Sequence, residues 1–512
     1  MKASSKNGSD QLKHKQDFGV FSSLFPQHYA PDYGSCTKDD SSNSSDSSNL
    51  LPGGISSNSQ QKKIGLASLV VLIYYEVSGG PFGIEDIVRA GGPLYAILGF
   101  SLFFVWVIPE ALVTAELSTA LPEASGAVAW VDTAFGPFWA FQKGWLSWLS
   151  GVTDNALYPI LFLDCLVGLL ATDPLHPSIF AAEGGVPYAR WSFIVSVIGI
   201  LTYLNYRGLD IVGKLAIGIC LLSLLPFVVF CVVGATQIKP ERWLIGPPNG
   251  MAGVNWSLLF NTFFWNINFW ESAACFSGEV KDPPRDYPLG IFLAILLVFV
   301  TLFLPILVAT GASNHHYSEW TDGYFIDLGR QIAGPWLSYW LMFASALSNI
   351  GMFEAEMSSD SWQVAGMADR GILPAIMGAR SEYGTPIFGI MLSAGGVLCL
   401  GWMSFGEVVA MLNLLYCYSQ VIEFAAFLYL RYARPDLPRP FKVPIGTVGM
   451  GLLLLLPFAF IGVVVYFSSL LSLCLSALLC IMGGFVYYLL LHAKKEGWCE
   501  FEERQHIPHL RS

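Results

Sequence analysis

Two acidic residues stand where the chain is otherwise apolar, and both sit beside an interruption. Glu76 opens the run Glu76-Val77-Ser78-Gly79-Gly80-Pro81-Phe82-Gly83, and Glu271 closes the run Phe264-Trp265-Asn266-Ile267-Asn268-Phe269-Trp270. A third acid, Asp154, lies in the polar stretch Ser150-Gly151-Val152-Thr153-Asp154-Asn155. A charged side chain at mid-membrane costs about 2.5–3.5 kcal/mol or more. With the deep parts of the spans read as free of Lys and Arg, such acids call for a proton, a metal ion or a cationic ligand. The aromatic residues around the second interruption, Phe263, Phe264, Trp265, Phe269 and Trp270, offer ring faces that attract a cation by about 0.5–2 kcal/mol each. Trp265, followed by Asn266, is the candidate gate. Glu110, Glu116, Asp164, Glu354, Glu356 and Glu423 also fall in or near apolar runs. Of these Glu116 reads as structural, and Glu354 and Glu356 as solvated at a helix end or facing the path.

The elements that must position these residues are membrane helices. Of 512 residues, 54% are apolar and only 13% charged. A soluble chain is about a quarter charged, so a polytopic membrane protein is expected and coiled-coil and collagen readings are excluded. A net charge of −11 argues against a nucleic-acid partner. Most of the ten Cys lie in apolar runs and none forms a CxxC pair, so neither zinc nor redox chemistry is indicated. No nucleophile–base motif suggests an enzyme, and no cofactor is called for.

A bilayer-spanning helix needs about 20 apolar residues. That criterion yields twelve candidates, roughly 64–84, 93–119, 138–171, 190–205, 209–236, 254–278, 288–312, 335–357, 386–402, 406–431, 447–467 and 470–491. Residues 1–62 are dominated by Ser, Asn, Asp and Gln over 39–61 and read as a disordered cytosolic tail. With that tail inside, only Arg89, Arg190, Lys239, Arg242 and Arg330 fall near spans on the outer side. The others, Lys143 among them, fall inside, which satisfies the positive-inside rule. Both termini are then cytosolic, with 492–512 as the C-terminal tail.

Gly-Gly-Pro opens a helix, and freed backbone groups persist in a membrane only where they line a cavity. The interruptions fall in spans one and six. This predicts a five-helix repeat over 63–236, a second over 250–431 and two accessory helices over 447–491. Matching breaks in two halves mark a transporter binding site.

Several runs resemble the amino acid–polyamine–organocation (APC) superfamily. They are Ser78 to Gly83, Glu116-Leu117 through Pro122-Glu123-Ala124-Ser125-Gly126, Gly278 to Arg285, and Met367-Ala368-Asp369-Arg370-Gly371 with Gly384-Thr385-Pro386. Within it, Glu76 to Gly83, Asp154-Asn155-Ala156-Leu157-Tyr158-Pro159 and Trp265 to Glu271 look most like plant polyamine uptake transporters. The resemblance implies an all-α LeuT-type 5+5 inverted repeat and proton-coupled import of polyamines, with entry of related dications such as paraquat left open. It places Trp265 at the gating aromatic and Glu271 at the proton-linked acid. Glu271 is also a departure, since family members often carry Asp there. The substrate-binding set is Glu76, Ser78, Gly79, Gly80, Asp154, Tyr158, Trp265, Asn268 and Trp270, and the plasma membrane is the expected location.

An amino-acid carrier must bind a carboxylate, typically on free N–H groups at a broken helix. Pro81 removes one such group, and Glu76 and Glu271 repel a carboxylate. A polyamine carries only ammonium groups. Cationic amino-acid transport and a cation channel remain the alternatives.

Overall fold

The computed structural model describes residues 64–170, 187–321, 323–401 and 405–503. The expected tail over 1–62 and the last nine residues, 504–512, lie outside them. Helices dominate. In order they are α1 (Leu66–Val77), α2 (Asp86–Ala120), α3 (Ala127–Phe135), α4 (Pro137–Asn155), α5 (Tyr158–Leu170), α6 (Pro187–Arg207), α7 (Leu209–Ala235), α8 (Trp256–Trp265), α9 (Pro283–Ala312), α10 (Tyr324–Ala333), α11 (Pro335–Asp369), α12 (Ile387–Leu400), α13 (Phe405–Ala433), α14 (Thr447–Phe467) and α15 (Leu470–Lys495). Proline at the first helical position, where no N–H bond is lost, starts α4, α9 and α11.

Seven of the spans among the described residues are long and apolar enough to cross a membrane, α4 and α5 counting together as one. Their outer faces are hydrocarbon: Leu221, Val228 and Val232 on α7 and Leu478, Ile481 and Phe485 on α15 are all exposed. Polar groups turn inward instead, with Glu110, Thr114, Glu116 and Ser118 of α2 all buried. Water would reverse that arrangement; lipid, as apolar as Leu, permits it.

Both expected interruptions are present. After α1 the backbone leaves the helix at Ser78, and Gly80 and Gly83 adopt positive φ of 106° and 81°. Gly92, at φ 73° before Pro93, kinks α2 close to the expected start of the second span. After α8 the chain is irregular to Glu271 and resumes as a 3-10 turn over Ser272–Glu279. Phe269, at φ 67°, is the one non-glycine residue in the left-handed region among those described. The two broken segments are joined at one end, where Ile64 pairs with Val280 and its N–H donates to the Glu279 carbonyl at 2.9 Å.

A third interruption was not expected. The span predicted over 138–171 divides at Ala156-Leu157 into α4 and α5, immediately after Asp154. Pro159 accounts for it: it cannot donate to the carbonyl of Asn155, so the helix re-forms only at Tyr158. The core of the bundle is α4 packed on α11 and α13, and α11 packed on α1, α5 and α7.

Candidate functional site

Four carboxylates, Glu76, Asp154, Glu356 and Asp360, converge where α1, α4 and α11 meet, all at most 7% exposed. They lie close enough to act on one another electrostatically. Glu76 belongs to the last turn of α1, and its Oε2 accepts from Ser359 Oγ at 3.1 Å. Asp154 Oδ1 accepts from the indole Nε1 of Trp265 at 3.0 Å. The Tyr158 hydroxyl donates to Glu356. Asp360 lies against Gly151, where any Cβ would strike its carboxylate. Glu356, Ser359, Asp360 and Gln363 recur at helical spacing, so one face of α11 carries them.

None of these four acids makes an ion pair with Lys, Arg or His among the described residues. Glu76 Oε1, Glu356 Oε2 and Asp360 Oδ2 are buried and have no hydrogen-bond partner there. An isolated buried ion costs several kcal/mol. The arrangement is therefore chemically suited to a ligand that brings positive charge and N–H donors.

Glu271 is different, and here the sequence reading needs correction. Lys143, assigned from sequence to the inner surface, is 0% exposed in α4. Its Nζ lies 3.1 Å from Glu271 Oε1, 3.0 Å from Glu423 Oε2 and 2.7 Å from Ser419 Oγ. Lys143 stands in the second turn of α4, near the predicted span end, but α13 and α15 cover it. A cation is thus built into the deep interior, and Glu271 has a permanent counter-ion that Glu76 and Asp154 lack. Lys143 and Asp154 are eleven residues apart, about 16 Å along one face of α4. One set of acids has no cation among the described residues and the other is built around Lys143, and Glu271 of the second lies close enough to act electrostatically on Glu76 of the first.

The other sequence candidates divide between these groups. Ser78 makes a local turn, its Oγ accepting from the Gly80 N–H at 3.3 Å. The Gly79 carbonyl accepts from Ser348. A Cβ at Gly80 would lie 3.3 Å from the Tyr74 hydroxyl. The half-buried Trp265 ring covers Gly83, where a Cβ would sit 2.6 Å from the ring. Asn268 faces α13, donating to Asn413 Oδ1 at 3.4 Å. Trp270 is fully buried and its indole N–H is spent on the Ile267 carbonyl at 2.8 Å, so the structure does not bring it to the unpaired acids.

Asp360 escaped the sequence reading because the eighth span was ended at 357, whereas α11 runs to Asp369. The serines at 358, 359 and 361 were the available signal: a solvated helix end does not need them, and a buried polar face does. Glu116 is indeed structural, with Arg431 Nε at 2.9 Å and Arg439 Nε at 3.1 Å. Arg370 holds Glu123 and Asp132 at 2.8 Å, clamping the end of α11 to the α2–α3 connection and to α3 itself.

Broken apolar helices around buried, polar side chains define a membrane solute carrier. The family model described as amino acid permease matches residues 64–486, and the chain belongs to that family. It is 48% identical to a protein named polyamine transporter RMV1 from Arabidopsis thaliana, over 88% of this chain and 90% of that one. It is 46% identical to polyamine transporter PUT1 from Oryza sativa subsp. japonica, over 88% of this chain and 83% of that one. A permease makes and breaks no bond in its solute, so the chain is a transporter and not an enzyme.

Proposed function

We propose that this chain imports polyamines such as putrescine, spermidine and spermine in symport with protons. The carrying observation is the group of four buried carboxylates, Glu76, Asp154, Glu356 and Asp360, which make no ion pair among the described residues. Primary and secondary ammonium groups bring the charge and the N–H donors those oxygens lack. The names of the plant relatives support the same substrate class.

In this reading Glu76 and Asp154 hold one end of the polycation, with Glu356 and Asp360 extending the acidic surface along α11. Trp265 closes over the ligand and answers to Asp154. The first break offers an α-carboxylate fewer donors: Pro81 has no N–H, and the Gly80 N–H is taken by Ser78. Glu271 links the substrate region to the proton through the Lys143 group. We further propose twelve spans in a 5+5 inverted repeat, cytosolic termini and a plasma-membrane location, with the Arg370 clamp as the inner barrier.

The test is uptake of labelled spermidine into proteoliposomes with and without an inward proton gradient. The gradient should drive accumulation. Glu271→Gln retaining full gradient dependence would remove Glu271 from the coupling.

A further inference from the structure

Tyr416 of α13 has one hydroxyl proton and is asked to meet two carboxylates. Its oxygen contacts Glu110 and lies 2.6 Å from Glu271 Oε2. The same oxygen accepts from the Phe269 N–H at 2.8 Å. A phenol donates once and accepts twice. With both carboxylates ionised, one contact would set an oxygen lone pair against an oxyanion at hydrogen-bond distance. The geometry closes only if one carboxyl is protonated and donates to the phenol while the phenol donates to the other.

Lys143 decides which. It pairs with Glu271 at 3.1 Å and Glu423 at 3.0 Å, so of the two carboxyls at the phenol Glu271 has a cation beside it. Glu110 has no ion-pair partner among the described residues, is 0% exposed, and leaves its Oε2 without a hydrogen bond. The groups facing it are Glu271 from the second broken segment, Lys143 from α4, and Tyr416, Cys417, Gln420 and Glu423 from α13.

We propose that Glu110 is the proton-carrying carboxyl of this transporter, and that Tyr416 reports its protonation state to the second helix break. Protonated Glu110 donates to Tyr416, which donates to Glu271 and holds the Phe269 peptide. When the proton leaves for water on the receiving side, Glu110 becomes a carboxylate and takes the phenol hydrogen bond. Glu271 then loses its donor and faces a like charge across the phenol. The segment 266–271, which follows the gate residue Trp265, is thereby released. Each cycle returns Glu110 to its carboxylate before it accepts the next proton. This deepens the proton-coupled reading and rests on it.

The test is infrared difference spectroscopy of the purified full chain between acid and alkaline samples, with proteoliposome uptake run in parallel. The carbonyl stretch of a protonated buried carboxyl should be present in the wild type, lost in Glu110→Gln and retained in Glu271→Gln. Tyr416→Phe should shift it, because its acceptor is gone; this variant also serves if Glu110→Gln does not fold. A band lost in Glu271→Gln and kept in Glu110→Gln overturns the assignment, as does a band unmoved by Tyr416→Phe. In uptake, Glu110→Gln should lose its response to the gradient. Wild-type uptake indifferent to the gradient would defeat the coupled reading itself, and the infrared bands would still locate the proton.

Discussion

The indole N–H of Trp265 donates to Asp154 Oδ1 at 3.0 Å, tying the end of α8 to the end of α4 at the point where both helices stop. A hydrogen bond to a charged group contributes about 1.5–3 kcal/mol. Trp265→Phe loses that bond and the outer part of the indole that lies over Gly83. We expect the spermidine uptake rate to fall about ten-fold or more, and Trp265→Ala to abolish it. A Phe variant with wild-type kinetics would show that the bond to Asp154 is not part of closure.

Gly83 answers to the same indole. Its φ of 81° strains any L side chain, and a Cβ would sit 2.6 Å from the ring. Gly83→Ala should therefore displace Trp265 and cost about 1–2 kcal/mol in backbone strain alone. The expected outcome is normal membrane insertion with strongly reduced uptake, measured by quantitative blot and radiolabel in the same cells.

The unpaired carboxylates carry substrate recognition in this account. Losing one partner of a buried charge pair costs about 2–5 kcal/mol. Glu76→Gln and Asp360→Asn should each raise KM for spermidine by about 30-fold or more, and competition by spermine should weaken with it. Equal KM values for Asp360→Asn and the wild type would confine binding to α1 and α4.

Lys143 is expected to act mainly on stability. Removing it strands Glu271 and Glu423 without their cation, and breaking a buried pair costs about 3–5 kcal/mol. Lys143→Met should lower the thermal unfolding midpoint in detergent. Lys143→Met combined with Glu423→Gln should recover part of the loss, since one stranded charge is removed.

Apolar length and the two breaks were readable from sequence because lipid enforces both: spans need about 20 apolar residues, and freed backbone needs a lined cavity. Glu76 and Trp265 stood out beside those breaks, and Asp154 as an acid in a polar stretch of the third span. Lys143 was misplaced because a window of composition cannot tell a helix end in water from one covered by α13 and α15. Asp360 and Tyr416 were missed for a related reason. Their roles depend on which helix lies opposite, Gly151 of α4 in one case and Glu110 of α2 with Glu271 in the other. That pairing is a property of the folded bundle: the polar spacing along α11 marks a buried face but does not say which helix covers it.

The central claim is that the buried acids select a polycation. In proteoliposomes with an acid exterior, labelled spermidine uptake is measured against putrescine, spermine, arginine and leucine. Saturable accumulation, displaced by spermine and putrescine and untouched by leucine, is expected. Accumulation displaced by leucine, or by arginine ahead of every polyamine, would contradict it.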